Sequence, residues 1–192
     1  RGRLNYSVAL FDAEVRDELI QFPVPADTNG RVFYQNAGRS RHRGVELGAE
    51  LEIASGVGLT TSWTYSDFRY TRYLGLDGRA VPGIPQHWLH FLLKGRPAFA
   101  RGGWVEVEET HSSGYLVSDA VSTSTAPWWT TNVRLGWDGT AGSLRLRPFV
   151  GLNNVWNRFY VASVVINAAN GRYYEPAPGR NMYVGFSLGA GE

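Results

Sequence analysis

Apolar residues recur at every second position along most of this chain. Leu4, Tyr6, Val8 and Leu10 alternate with Asn5, Ser7 and Ala9; Val45, Leu47, Ala49, Leu51 and Ile53 alternate with Glu46, Gly48, Glu50 and Glu52. The period returns at Leu59, Thr61, Trp63 and Tyr65, at Leu89, Phe91 and Leu93, and at Val105 and Val107. It returns again at Trp129, Thr131, Val133, Leu135 and Trp137, at Leu144, Leu146, Val150 and Leu152, and at Met182, Val184, Phe186 and Leu188. A period of two puts alternate side chains on opposite faces of an extended strand. The pattern therefore predicts eight strands, each with an apolar and a polar face. Connections are short at 55–57, 96–103 and 138–142, and long at 17–32, 70–84, 116–127 and 155–179. That alternation predicts an all-β, antiparallel up-and-down meander with one tight end and one elaborate end. No helical period or low-complexity linker interrupts it, so 1–192 reads as one domain.

Period alone does not say what the apolar face meets. In a soluble sandwich it meets a second sheet; in a wide membrane barrel it meets lipid and the polar face lines the lumen. Three features favour lipid. The apolar stretches are about ten residues long, the span of a tilted membrane strand. Trp128, Trp129 and Trp137 bracket one strand, with Trp63 and Tyr65 partway along another, as in an interfacial aromatic girdle. The strands also exceed the usual 5–6 residues of soluble sheets.

Composition narrows the chemistry. Without cysteine, disulfides, zinc–thiolate centres, iron–sulfur clusters and Cys nucleophiles are excluded. A net charge of +2 gives no reason to expect a nucleic acid partner. No apolar run approaches the roughly 18 residues of a transmembrane helix; the densest lies at 160–166. The chain opens on Arg1 without a signal-peptide pattern, and reads as a piece of a longer protein.

The segments VALFDAEVRDELI (8–20), YQNAGRSRHRGVELGAEL (34–51), VPGIPQHWLHFLL (81–93), PFVGLNNVWNRFY (148–160) and PAPGRNMYVGFSL (176–188) carry a resemblance. Together they resemble the C-terminal barrel portion of TonB-dependent outer-membrane receptors of the siderophore and iron-complex type. The resemblance implies a roughly 22-stranded barrel with a plugged lumen, of which this chain supplies the last eight strands. It implies energy-coupled import of a ferric siderophore or similar scarce nutrient. It also implies three kinds of partner: outer-membrane lipid and lipopolysaccharide, the receptor's own plug and earlier strands, and a TonB-type coupling protein touching the N-terminal region. The family usually ends on an aromatic residue; here the nearest is Phe186.

Catalysis finds no support. There is no G-x-S-x-G stretch or phosphate-loop pattern, and no cofactor is expected beyond a transported iron chelate. His87 and His90, three apart, fall on opposite strand faces and cannot share a metal ion, and no metal site is expected. The polar face is richer. With consecutive strands antiparallel, Glu106 and Glu108 stand beside Arg134, Arg134 beside Arg145 and Arg147, and Lys94 flanks the acids. This charge network either orders a polar lumen wall or forms a contact surface for the plug. In the long connections Arg72, Tyr73, Trp128, Arg158 and Tyr173 are candidate ligand contacts, because arginine beside aromatic rings suits an anionic, aromatic-rich chelate. They equally suit an ordinary loop surface. Finally, if parity runs unbroken through 34–51 as one strand, Arg39, Arg41 and Arg43 share a face with Val45 and meet lipopolysaccharide phosphates. A bulge at Gly44 would reverse that parity. A free-standing eight-stranded barrel (a small porin or adhesin) and a soluble β-sandwich remain the alternatives.

Overall fold

The computed structural model describes residues 3–17, 19–22, 24, 31, 33–36, 38–120 and 122–190. Its main feature is one curved antiparallel wall. The wall strands are β1 (Leu4–Arg16), β4 (Arg39–Ala54), β5 (Val57–Arg72), β6 (His87–Gly95), β7 (Gly103–Ser112), β8 (Trp128–Trp137), β10 (Leu144–Asn153) and β13 (Asn181–Ala190), in that spatial order. Short β9 (Gly139–Ala141) extends the wall beside β10. Two hairpins stand above it: β2 (Leu19–Phe22) with β3 (Phe33–Asn36), and β11 (Val161–Val164) with β12 (Tyr174–Pro176). The eight expected strands are these eight wall strands.

The order runs from β1 to β13 without returning, so the sheet is open. A closed eight-stranded barrel would pair β1 with β13, and a sandwich would need a second sheet over the apolar face; the strand order has neither. Register defines the faces. Val8, Val45 and Tyr65 fall on one side with Leu89, Val107, Val133, Leu152 and Met182. On this side Leu47, Leu93, Leu135 and Val150 are 37–49% exposed in the middle of the wall. A continuous exposed apolar band of that extent is not a water-facing surface. Trp129 and Trp137 mark its two edges on β8, eight residues or roughly 26 Å of strand apart, which suits a tilted membrane span. Trp63 and Tyr65 join the upper edge, where both pack against His87.

On the lumen side, glycines stand directly opposite aromatic rings. Phe11 faces Gly44, Trp104 faces Gly136, Tyr183 faces Gly151 and Phe149 faces Gly185. In each pair a Cβ on the glycine would come within 2.1–2.2 Å of the ring. The rings therefore lie flat along the wall, over strand positions with no side chain. This overturns a bulge at Gly44: the β1–β4 register is continuous through it, and its lack of a side chain accommodates Phe11.

Three boundaries differ from the sequence pattern. The connection at 138–142 is mostly strand, as β9 resumes directly after Asp138. The stretch 34–51 is two strands, because β3 ends at Asn36 and β4 starts at Arg39. Gly38 marks the break with φ +30, and any Cβ there would meet Arg72 O at 1.9 Å. Strands β1, β4 and β5 run 13–16 residues, well past the apolar band, because polar pairs continue the ladder above it. Most of the connection 17–32 beyond its hairpin lies outside the described residues.

The wall is one layer thick, so it has no dry interior of its own. Among the described residues the buried apolar side chains are Tyr70, Tyr73, Pro82, Val117 and Ala168, all in or next to the long connections. The connections are tied together by Gly83 N donating to Leu116 O, Asn167 N to Val117 O, and Arg79 Nη1 to the Asp119 carbonyl. Asn167 donates from Nδ2 to Asp119 Oδ2 at 2.7 Å and accepts the Asp119 amide at Oδ1 at 2.8 Å. Three loops thus form one cap over the upper end of the wall.

Candidate functional site: lumen wall, loop cap and outer rim

Rows of facing residues cross β6, β7 and β8 on the lumen side. The lowest row is Lys94, Glu106 and Arg134; above it lie Leu92, Glu108 and Asn132, then His90, Thr110 and Thr130, then Trp88, Ser112 and Trp128. Both Nε and Nη2 of Arg134 donate to Glu106 Oε2, and Lys94 Nζ stands 3.6 Å from Glu106 Oε1. Glu108 accepts from Asn132 Nδ2 at 2.8 Å and lies 2.9 Å from His90 Nε2. The arrangement brings together Lys94, Glu106, Glu108 and Arg134, and it adds His90 and Asn132. Parity alone puts His90 on this face, but its partner becomes visible only with the β6–β7 register.

Arg145 and Arg147 do not join. The β8–β10 register sets Gly151, not an arginine, opposite Arg134. Arg145 instead faces Thr140 of β9, and Arg147 Nε lies 3.9 Å from Asp138. The reason is the position of the turn: β9 continues β8 in one unbroken register against β10, so the hairpin turns at Gly142 and Ser143, beyond 138–141, and Arg134 comes to face Gly151. Asp138, between β8 and β9, also accepts from Arg96 at 2.8 Å; that bond and the Arg96 charge hold its carboxyl below the usual carboxylate range.

The five candidate ligand contacts do not share one site. Trp128 is on the upper lumen wall, its ring 4.5 Å from Tyr160 and 5.6 Å, edge-on, from Trp88. Arg158 is exposed on the connector after β10, where its amide donates to Asn154 Oδ1. Tyr173 is half-buried beside β12, edge-on to Tyr174. Tyr73 is inside the loop cap, 5% exposed, packed on Tyr70 with its hydroxyl accepting from Gln35 Nε2. Burial there holds the Tyr73 hydroxyl above the usual phenol range. Arg72 lies in a hollow with Asp12, Glu14, Arg39 and Arg41, on the outer side.

A cavity of about 490 Å³ lies where the cap meets the wall. Its floor is His42, Phe68 and Tyr70; one side is Val81, Pro82 and Ile84; another is Val164, Val165 and Ile166; Leu19 and Tyr34 complete it. The sequence signal was present: the densest apolar run, 160–166, falls in a loop, where apolar side chains need cover.

On the outer face, parity continues unbroken above the apolar band. Arg43, Arg41 and Arg39 stand opposite Asp12, Glu14 and Arg16 of β1, on the side of Val45. Arg41 grips Asp12 with a two-pronged contact, Nε to Oδ1 at 2.7 Å and Nη2 to Oδ2 at 2.5 Å. Arg39 and Arg16 both approach Glu14, and Arg69 pairs with Asp67. The band is a mixed ion ladder with arginine in excess.

An open wall with an apolar outer band, aromatic edges and a charged lumen face is a segment of a bacterial outer-membrane β-barrel. A family model described as "TonB dependent receptor-like, beta-barrel" matches residues 1–155, and the chain belongs to that family. It is 34% identical over 62 residues to the ferrichrome outer membrane transporter/phage receptor of Escherichia coli (strain K12), a match covering 32% of this chain and 8% of that protein. Its fold is similar to the ferric citrate transporter FecA in the unliganded form, with TM-score 0.77, 17% identity, and 96% of this chain against 29% of that one. It is also similar to the ferric yersiniabactin uptake receptor FyuA from Yersinia pestis, with TM-score 0.73, 17% identity, and 96% against 27%. The chain thus spans under a third of the length of these relatives.

Proposed function

We propose that residues 1–192 are the C-terminal barrel wall of a longer receptor whose plug and earlier strands precede them. The receptor imports a ferric siderophore or similar metal chelate, with energy delivered by a TonB-type coupling protein to its N-terminal region. The observation that carries this reading is the open two-faced wall: its lipid face is complete, while its lumen face and both sheet edges need partners from elsewhere. Membership of the receptor family and likeness to ferric-chelate receptors support it. The Lys94–Glu106–Arg134 and His90–Glu108–Asn132 groups form the lumen wall against which the plug rests. Trp128 with Tyr160, and Arg158 and Tyr173 above them, supply ligand contacts at the mouth. Arg39 and Arg43 on the outer rim meet lipopolysaccharide phosphates.

The test is uptake of radiolabelled ferric chelates by iron-starved cells that carry the full-length receptor as their sole receptor of this kind. Uptake should require the receptor and stop when a protonophore collapses the inner-membrane gradient. Arg134→Glu should lower uptake beyond any loss of receptor from the membrane. Uptake indifferent to the protonophore would sink the energy-coupled reading; normal uptake by Arg134→Glu would leave that network a purely structural role.

A further inference from the structure

We propose that the cavity between the loop cap and the top of β4 and β5 is a subsite for an apolar group, aryl or alkyl, carried by the transported chelate. The proposal rests on the chelate-import reading and specifies its substrate class.

Among the described residues its lining contains no Asp, Glu, Lys or Arg, and His42 and two tyrosines are its titratable side chains. His42 is already committed on two sides. Its ring stacks on Phe68 at 4.0 Å and nearly parallel, and its Nε2 lies 3.0 Å from Ser40 Oγ. A charged group entering here would lose its hydration with no ion to replace it, which is costly. An apolar group loses nothing by entering, and releases the water that such walls hold poorly. The volume of about 490 Å³ falls within the range of small-molecule pockets, about 300–1,000 Å³.

The walls are also set in advance. Val81 N donates to Phe68 O at 2.9 Å, which fixes that side to β5. Val165 N donates to Tyr173 O and Asn167 N to Val117 O, which fix the side formed by Val164 and Ile166. The two sides meet at Gly83, where φ is +82 and a Cβ would come 2.5 Å from Ile166 Cδ1. A pre-formed apolar wall needs little ordering on binding, so burial there contributes directly to affinity. Its floor residues His42 and Phe68 lie on the lumen face, the side from which a chelate in transit approaches. The occupant is therefore the apolar periphery of a chelate of low charge; a small, wholly hydrophilic polyanion has no use for this surface.

The experiment uses two synthetic trihydroxamate chelators that are identical except for one phenyl or one methyl substituent. Each is titrated, ferric and metal-free, against the full-length receptor in detergent. Variants are Val165→Asp, which charges the cavity, and Ile84→Phe, which fills it without charge; heat-modifiable gel migration reports folding. The wild type should bind the ferric phenyl chelate about tenfold or more tightly than the ferric methyl one. Either folded variant should bring the ratio near one, chiefly by weakening binding of the phenyl chelate. A ratio near one in the wild type, or one unmoved by both variants, overturns the subsite and leaves the chelate-import reading standing. A phenyl preference that persists equally without iron supports the subsite and counts against ferric selectivity. Binding of neither chelator in any form overturns both.

Discussion

A single glycine on this wall is read through the residue facing it. Gly136 has Trp104 directly opposite, and a Cβ at Gly136 would lie 2.2 Å from that ring. Trp104 also lies under the Arg134 guanidinium, 5.9 Å from ring centre to charge, so its position bears on the charge network. Gly136→Val should push Trp104 off the wall and cost about 1–3 kcal/mol by overpacking. Detergent-solubilised receptor carrying it should lose its heat-modifiable fold at a lower temperature than Gly136→Ala, the smaller intrusion; equal temperatures for both would contradict the packing account. At this scale the sequence is half legible. Period two tells which face each residue occupies, and it puts Lys94, Glu106, Glu108 and Arg134 on the one face where the register brings them together. It does not tell which residue stands opposite which. A turn at 138–142 makes Arg145 and Arg147 neighbours of Arg134, whereas the hairpin runs on through β9 and turns only at Gly142 and Ser143, which sets Gly151 there instead. The glycine–aromatic oppositions were hidden for the same reason, since each pair is separated in sequence by a whole turn or loop.

At the scale of elements, strands were legible and loops were not. Strand existence follows from alternation, a property local to each segment. The loop cap depends on contacts between connections far apart in the chain, such as Asp119 with Asn167, for which no short pattern exists. Yet the cap and the strand ends beside it hold the best-buried apolar side chains of the described residues. Asp119 is its tie: it accepts from Asn167 Nδ2 by side chain and from Arg79 Nη1 by carbonyl. Asp119→Ala removes the first contact, a hydrogen bond between a buried amide and a charged carboxylate, a loss of about 1–3 kcal/mol. That loss is local, because the ladder bonds from β4 through β8 below residue 66 of β5 run strand to strand and do not pass through the cap. Amide exchange should accelerate at 81–83, 116–120 and 164–168 while β5 through β8 stay protected. Uniform acceleration, in wall and cap alike, would show instead that the cap and wall unfold as one unit.

For the whole molecule, on the proposed reading, one sheet meets three surroundings: lipid across its middle, the lumen behind, and the outer-leaflet headgroups at its upper rim. The rim is the least obvious of these. On it Arg16, Arg39, Arg41, Arg43 and Arg69 stand among Asp12, Glu14 and Asp67, five arginines against three carboxylates. The pairs themselves stabilise little, as exposed ion pairs do. Their arrangement nevertheless selects what the rim can hold. Arg41 is occupied by Asp12, whereas Arg39 makes only a 3.6 Å contact with a Glu14 that Arg16 also claims. Arg72 lines the same hollow and adds to the excess. Under that reading the rim attracts anions from the headgroup layer through cations its own acids leave unbalanced, and the attraction weakens with salt. Replacing Arg39 and Arg43 by Ser while keeping the Arg41–Asp12 pair should reduce the lipopolysaccharide that co-purifies with the full-length receptor by about half or more at low salt. Phosphate analysis per receptor reads this directly, and heat-modifiable migration checks that the barrel is intact. An unchanged phosphate content, with wild-type protein equally insensitive to salt, would mean that the ladder serves only to continue β1, β4 and β5 above the membrane.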